Sequence, residues 1–288
     1  LRNLTKAATA LGYTQSGASH IISSIEAELG VALLRRDHSG THLTMEGEML
    51  LPSIQELVLC GEKIRALSQS ILGIQAGVLR VASFASISLL WLPQIVGRLH
   101  ALYPDIRVEI VSETGSYQEM EEFLLNARVN CGFVRMPVDP ALNCIPLMRD
   151  PMLVVLPPDH PLAAQEEPIT FAQLAQEPFL MPTEGNNYEI EQLCKQYAFE
   201  PQVAFTMHED LSLLAMAENG LGYTILPSLL VNNYPHKAAV KRLETDPARL
   251  IGIATRANYT VSPLTTAFID LVCQMAREYI PEQNRLLD

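Results

Sequence analysis

The chain has 288 residues, of which 48% are hydrophobic and 18% are charged, and its formal net charge is −12. This composition supplies a sizeable hydrophobic core and excludes a wholly disordered protein. Since a domain averages roughly 150 residues, the length predicts about two domains. No apolar stretch approaches the ~20 residues of a membrane helix, and the first residues lack the charged-then-apolar layout of a signal peptide. We therefore expect no membrane partner.

The cysteines are scattered and form no CxxC pair; they are Cys60, Cys131, Cys144, Cys194 and Cys273. An odd, dispersed set argues against a disulfide framework or a structural zinc site and favours a reducing compartment, so we expect a cytoplasmic protein. His38 and His42 do not make a metal site without further ligands. We accordingly expect neither a metal nor another cofactor.

The negative charge is unevenly distributed along the chain. Residues 1–44 hold four basic and three acidic side chains, whereas residues 73–288 hold 14 basic and 25 acidic ones. The net charge of −12 argues against nonspecific nucleic-acid binding by the whole molecule. If nucleic acid is a partner, it must therefore meet the amino-terminal end.

The amino-terminal residues predict two short helices joined by a tight turn. Residues 6–11 have helical character, Gly12 and Tyr13 supply the turn, and Thr14 occupies an N-cap position ahead of a second helix at 15–29. Helical spacing predicts an inward apolar face formed by Ala18, Ile21, Ile22, Ile25 and Leu29. The opposite face is polar and free of acidic residues until Glu26; it comprises Gln15, Ser16, Ser19, His20 and Ser23.

Side chains of this kind hydrogen-bond to DNA base edges, and Gln pairs bidentately with adenine. In a helix-turn-helix the amino-terminal part of the second helix enters the major groove. We therefore take Thr14 and the polar face together as a candidate DNA-reading surface. The alternative is an ordinary helical hairpin with a solvated, Ser-rich face.

Residues 30–44 favour the DNA interpretation, because they predict a small hairpin behind the second helix. Two short extended pieces flank a turn at Ser39 and Gly40, which is typical of the wing of a winged helix. Arg35 and Arg36 at its base would lie near phosphates and position the duplex without reading sequence. Residues 44–75 then predict a long amphipathic helix with an early Pro52, whose apolar stripe a second copy of the chain would cover.

From residue 78 onward, short strands alternate with helical patterns. Strands are expected at 78–82, 106–111, 131–135, 152–156, 179–181, 203–206, 223–226 and 250–255, and helices at 89–102, 117–127, 188–197, 211–219 and 263–279. This alternation predicts an α/β fold with parallel-type sheets covered on both faces. The segment is too long for one small sheet, so we expect two lobes, with a crossover near 149–151 and a return near 255–256.

Together these features resemble the LysR-type transcriptional regulators. The similarity runs through residues 4–8, 11–22, 25–26, 29–31, 33–36, 43–44 and 47, and then through 77–81, 92–93, 103–106, 160–162 and 220–227, the last being Gly-Leu-Gly-Tyr-Thr-Ile-Leu-Pro. The first helix of the family precedes this region and has no counterpart here. We therefore expect that the start of the chain has been cut away.

The resemblance implies a sequence-specific transcriptional regulator that is not an enzyme. It implies a winged helix-turn-helix domain at 1–47, a linker and dimerisation helix at 48–76, and an effector-binding domain at 77–288. The last resembles a periplasmic binding protein, with lobe I at about 77–149 and 256–288 and lobe II at about 150–255. The implied partners are a double-stranded DNA operator, a small-molecule effector between the lobes, and further copies in a dimer or tetramer; RNA polymerase is an additional candidate.

Parallel sheets bind ligands beyond the carboxyl ends of their strands, next to helix N-termini. Side chains at such strand ends and junctions are therefore candidate effector contacts: Ser83, Ser86, Ser116, Arg135, Thr183 and Asn186. For each serine the alternative is a helix cap, and for Arg135 it is a solvated or ion-paired strand end. Hydroxyls and backbone amides at helix starts favour a small anion such as a carboxylate.

Two other function classes stay open at this point. An exported solute-binding protein would account for residues 77–288, but it would need a signal sequence and would have no use for residues 5–44. An enzyme would need a catalytic motif, and the sequence has no GxSxG elbow, no HExxH and no GxxxxGK. A DNA-binding assay with a salt titration separates the regulator from both, because regulators show steep salt dependence and sequence preference.

Overall fold

The computed structural model describes residues 4–37, 40–72, 77–111, 116–183 and 187–287. The chain divides into two compact units, Leu1–Ile64 and Arg65–Asp288. Within the described ranges, no helix is long and apolar enough to span a lipid bilayer.

The first unit begins with two helices, α1 (Leu4–Ala10) and α2 (Gln15–Leu29), joined by a tight turn. Gly12 in this turn has a φ of +75°, which glycine adopts without a Cβ penalty. Thr14 caps α2, since its Oγ1 accepts a hydrogen bond of 3.1 Å from the backbone N–H of Gly17. The predicted helix–turn–helix is therefore confirmed.

The apolar face of α2 differs from the prediction. Helical spacing predicts that Ile21, Ile25 and Leu29 face inward, but 43%, 42% and 48% of their surfaces are exposed. Among the described residues, α1 packs against α2. The seven residues of α1 extend about 10 Å, whereas the 15 residues of α2 extend about 22 Å. The shorter helix cannot cover the whole face.

A hairpin and the larger part of a long helix, up to Ile64, complete the first unit. The strands β1 (Leu34–Asp37) and β2 (Gly40–Leu43) are antiparallel, which confirms the predicted hairpin. The helix α3 (Met45–Leu72) begins under a second threonine cap, in which Thr44 Oγ1 accepts a hydrogen bond of 2.9 Å from Gly47 N. It continues through Pro52. Met49, Leu57 and Ile64 of α3 are exposed, and the pairing of this helix with a second copy stays a prediction.

The described strands of the second unit form a mixed sheet and a separate two-stranded sheet. They are β3 (Gly77–Ala82), β4 (Ile106–Val111), β5 (Cys131–Met136), β6 (Leu142–Leu156), β7 (Pro178–Pro182), β8 (Gln202–Met207), β9 (Thr224–Pro227), β10 (Ala239–Arg242) and β11 (Ala248–Arg256). The large sheet has the order β10-β6-β11-β5-β3-β4, with β9 also on β6, and β7 pairs with β8.

The expectation of parallel-type sheets holds for only part of this unit. β3 runs parallel to β4 and β5, and β7 runs parallel to β8. By contrast, β11 is antiparallel to both β5 and β6, and β6 is antiparallel to β9 and β10. The difference arises because the long strand β6 begins ten residues earlier than the predicted strand 152–156 and provides an antiparallel partner for β11.

The described helices of this unit pack on the sheets; they are α4 (Ala85–Leu90), α5 (Leu92–Leu102), α6 (Tyr117–Leu125), α7 (Phe171–Leu174), α8 (Tyr188–Tyr197), α9 (Asp210–Glu218), α10 (Ser228–Val231) and α11 (Pro263–Tyr279). The predicted helix 89–102 is interrupted at Trp91. Pro93 has no N–H to donate, so it is tolerated in the first turn of a helix but not in its interior. The chain therefore starts a new helix there.

The strand β6 connects two hydrophobic cores. Its residues 142–151 pair with β11 in the first core, and residues 152–156 pair with β9 and β10 in the second. The chain thus leaves the first core at residues 150–151 and returns between β10 and β11, at 243–247. The sequence predicts the return near 255–256, but those residues pair with 142–143, at the end of β6 that lies farthest from the crossover.

Candidate functional site

The polar face of α2 is open to solvent. Gln15, Ser16, His20 and Ser23 are exposed and Ser19 is half-buried. Thr14 lies at the start of this face, but its hydroxyl serves the helix cap and also lies 3.2 Å from Ser16 Oγ. The predicted DNA-reading side chains are therefore brought to one surface, where a groove could receive them.

The hairpin is attached to α2 by the side chain of Glu26. Its Oε1 accepts hydrogen bonds from the backbone N–H groups of Leu33 (2.7 Å) and Leu34 (3.1 Å). Thr44 Oγ1 donates to the carbonyl of Ala32 at 2.6 Å, so the base of the hairpin is held from both sides. Charge-assisted bonds such as those of Glu26 are among the stronger ones in proteins. Sequence reasoning did not assign this role to Glu26.

The basic residues of the hairpin are only partly described. Arg35 is exposed and pairs across the hairpin with His42. The side chain of Arg36, like residues His38 and Ser39, lies outside the described part of the chain. The exposure of Arg35 is what a contact with DNA phosphates requires.

A cleft in the second unit lies between its two hydrophobic cores. The open space among its lining residues is about 290 Å³, a figure that includes the adjoining solvent. Its polar lining consists of Tyr117, Glu189, Asp210 and Arg249, and its apolar lining includes Met152, Ile190, Ile225 and Leu226. Because these side chains come from both cores, a molecule in the cleft would contact both.

Arg249 is the centre of a buried hydrogen-bond network at the cleft wall. Its Nε and Nη2 contact Asp150 Oδ2 at 2.9 and 2.8 Å, its Nη1 donates to Tyr117 Oη at 2.8 Å, and its Nη2 donates to Ser86 Oγ at 2.7 Å. Asp150 Oδ1 in turn accepts from Ser228 Oγ and Leu229 N, both at 2.8 Å. One carboxylate at the crossover of β6 therefore joins β11 to α10.

Burial and charge change the pKa values of the cleft groups. Burial raises the pKa of Tyr117 to about 12, although the neighbouring Arg249 opposes this. Burial also raises the pKa of Asp210, again opposed by Arg249. Burial disfavours the charge of Arg249, but Tyr117 and Asp150 outweigh it and hold the guanidinium pKa above its ordinary value. Arg249 therefore stays charged, which is why it needs its buried carboxylate.

A second ion pair spans the cleft. Arg135, at the end of β5, donates from Nε to Glu189 Oε1 at 2.7 Å, and both side chains are largely buried. The Arg135 guanidinium also lies 3.7 Å from the ring centroid of Tyr188. Arg135 belongs to the first core and α8 to the second, so this contact links the two cores.

The six predicted effector contacts have different roles in the structure. Ser83 is buried and accepts a hydrogen bond from Ser88 Oγ at 3.0 Å, and Ser116 caps α6 through Glu119 N at 3.3 Å. Thr183 Oγ1 lies 3.0 Å from His208 Nδ1. Asn186 lies outside the described residues. Of the described five, Ser86 and Arg135 touch residues that line the cleft, namely Arg249 and Glu189.

None of the polar residues that line the cleft is among the effector contacts predicted from sequence. Tyr117, Glu189 and Asp210 each lie in the first turn of a helix, α6, α8 and α9 respectively. An acidic residue there is ordinarily explained by its favourable interaction with the helix dipole, so the sequence gives no reason to expect a ligand contact. The only available signal was their position directly after a strand-to-helix junction.

Comparisons with known proteins place the chain in a family. Residues 1–48 match the family described as "Bacterial regulatory helix-turn-helix protein, lysR family", and residues 73–277 match "LysR substrate binding domain". The probable HTH-type transcriptional regulator LrrA of Synechococcus elongatus is 32% identical over 281 residues, which cover 96% of this chain and 93% of LrrA.

Solved structures agree in fold. A full-length OxyR variant from Pseudomonas aeruginosa superposes with a TM-score of 0.72 at 22% identity, covering 94% of this chain and 92% of OxyR. The regulatory domain of CcmR from Synechocystis, in complex with 2-PG, superposes with a TM-score of 0.65 at 20% identity, covering 70% of this chain and 99% of that domain. The chain therefore belongs to the LysR family: it is a transcriptional regulator with a helix-turn-helix and an effector-binding domain, and not an enzyme.

Proposed function

We propose that this regulator reads its operator with the polar face of α2 and the β1–β2 hairpin, and that a small molecule in the cleft controls it. The observation that carries this proposal is the presence, on one chain, of an exposed acid-free helix face and a cleft lined from two cores. We further propose the domains 1–47, 48–76 and 77–288, with lobes joined at the β6 crossover. The proposal also includes self-association through α3, contact with RNA polymerase and a cytoplasmic location.

For DNA, Gln15 is the side chain with the greatest reading capacity, because its amide can pair bidentately with adenine. We expect Gln15→Ala to reduce discrimination at one base pair by about 1–3 kcal/mol. Gel-shift titrations on the operator and on single-base variants measure this difference. Gln94→Ala, the same change on an exposed position of α5, is the matched control and should leave discrimination intact. Equal discrimination by the wild type and Gln15→Ala would contradict the assigned face.

For the effector, Ser86 is the predicted contact that the structure connects to the cleft. Its hydroxyl accepts from Arg249, which lines the cleft, so its loss would leave one guanidinium donor without an acceptor. A thermal-shift screen of small metabolites on the full chain first identifies a compound that stabilises it. We expect Ser86→Ala to raise the Kd of this compound about tenfold, the usual scale for a hydrogen bond to a charged group.

The same variant should bind operator DNA normally in the absence of the compound. Ser88→Ala is the matched control, because Ser88 bonds Ser83 and not Arg249. An unchanged Kd in Ser86→Ala would remove Ser86 from the response, and a screen without any stabilising compound would contradict control through the cleft.

A further inference from the structure

The charges around the cleft are unequal in number. Two guanidinium groups, Arg135 and Arg249, face three carboxylates, Asp150, Glu189 and Asp210. Asp150 is fully buried against Arg249, and Glu189 Oε1 is bonded to Arg135 at 2.7 Å. Among the described residues, each of these two guanidinium groups therefore has a carboxylate partner, and one of the three carboxylates is left without one.

The remaining carboxylate is Asp210, the first residue of α9. It lines the cleft, and within the described ranges it makes no side-chain hydrogen bond or ion pair. Arg249 and His208 attract it only through space, and Glu189 repels it. Asp210 is half-buried, and burial raises its pKa, because the carboxylate loses solvation without gaining a hydrogen-bond donor in the described part of the chain.

Glu189 provides a second, independent acceptor. Its side chain is 9% exposed, and Oε1 takes the bond from Arg135, whereas Oε2 has no partner among the described residues. Glu189 also lines the cleft. Within the described ranges, carboxylate oxygens from two different helices, α8 and α9, therefore have no hydrogen-bond donor, and both residues line the cleft together with Ile190 and Ile225.

We propose that the cleft binds a small ligand with a protonated amine, whose N–H groups donate to Asp210 and Glu189 while a short apolar part contacts Ile190 and Ile225. This proposal rests on the proposed control through the cleft and specifies its ligand class. It replaces the small anion expected from sequence, because a carboxylate would approach Asp210 while both guanidinium groups are engaged. A ligand ammonium would gain charge-assisted hydrogen bonds in a partly desolvated site.

Three probes of equal chain length test the charge preference: n-butylamine, butyrate and n-butanol. Their Kd values for the full chain are measured at neutral pH by ligand-observed NMR titration. We expect the amine to bind at least about tenfold more tightly than butyrate, with butanol between them. Asp210→Asn should abolish this preference, because an amide keeps the shape but removes the charge.

Glu209→Gln is the matched control, since it removes one negative charge at the adjacent residue, which does not line the cleft. It should keep the amine preference, which excludes a general attraction of amines to an acidic protein. Thermal unfolding verifies that Asp210→Asn is folded, and Glu189→Gln serves as a second variant that should weaken amine binding.

Tighter binding of butyrate than of butylamine would overturn the inferred ligand class but would leave control through the cleft intact. An amine preference that persists in Asp210→Asn and Glu189→Gln would also overturn it. The metabolite screen described above tests the proposed function separately, because it does not depend on the sign of the ligand charge.

Discussion

Asp150→Ala should lower the free energy of unfolding of the second unit by about 3–5 kcal/mol, the cost of leaving a buried charge without its partner. Arg249 is 4% exposed and would lose both contacts to Asp150 Oδ2, while Ser228 Oγ and Leu229 N would lose their common acceptor. Denaturant unfolding of the full chain, followed by the fluorescence of Trp91 in this unit, measures the change.

Two further variants make this prediction specific. Replacing the pair together, Asp150→Ala with Arg249→Leu, removes the orphaned charge and should recover part of the loss. Glu109→Ala is the control, because Glu109 pairs with Arg80 and Arg107 on the surface, where ion pairs contribute about 0–1 kcal/mol. If Asp150→Ala lowered the free energy of unfolding as little as Glu109→Ala does, the network would not hold the cleft wall together.

Gly47→Ala should disrupt the first unit and abolish operator binding. A Cβ at this position would overlap the carbonyl oxygen of Leu33 and lie 3.1 Å from its carbonyl carbon and 3.2 Å from Leu43 Cδ2. Both Leu33 atoms belong to the backbone at the base of the hairpin, so α3 and the hairpin would have to separate. We expect a cost of about 3 kcal/mol, at the upper end of the range for overpacking.

The measurements are operator affinity by gel shift and thermal unfolding of the full chain. Gly61→Ala in the same helix is the matched control, since a Cβ there meets nothing within 4 Å. It should stabilise α3 slightly, by about 0.5–1 kcal/mol, because alanine is the better helix former. Normal operator affinity in Gly47→Ala would show that the close approach of α3 to Leu33 is not needed for DNA binding.

Much of the local structure could be inferred from sequence. The cap at Thr14, the turn at Gly12, the hairpin and the helix Pro263–Tyr279 all depend on residues near one another in the chain. Short-range preferences were therefore sufficient. Elements whose stability comes from distant partners were missed, namely the first part of β6 and the strand Ala239–Arg242, which pairs with β6.

The class of the protein followed from its amino-terminal motif, because a recognition helix, its cap and its wing lie within a few dozen consecutive residues. The cleft did not follow, because Asp150 meets Arg249 and Arg135 meets Glu189 only after residues far apart in sequence have folded together. The spacing of charged residues along the sequence does not predict which of them form ion pairs in the folded chain. Burial and ion pairing are properties of the folded chain. In the proposed site, they leave the Asp210 carboxylate as the group that favours a positively charged ligand.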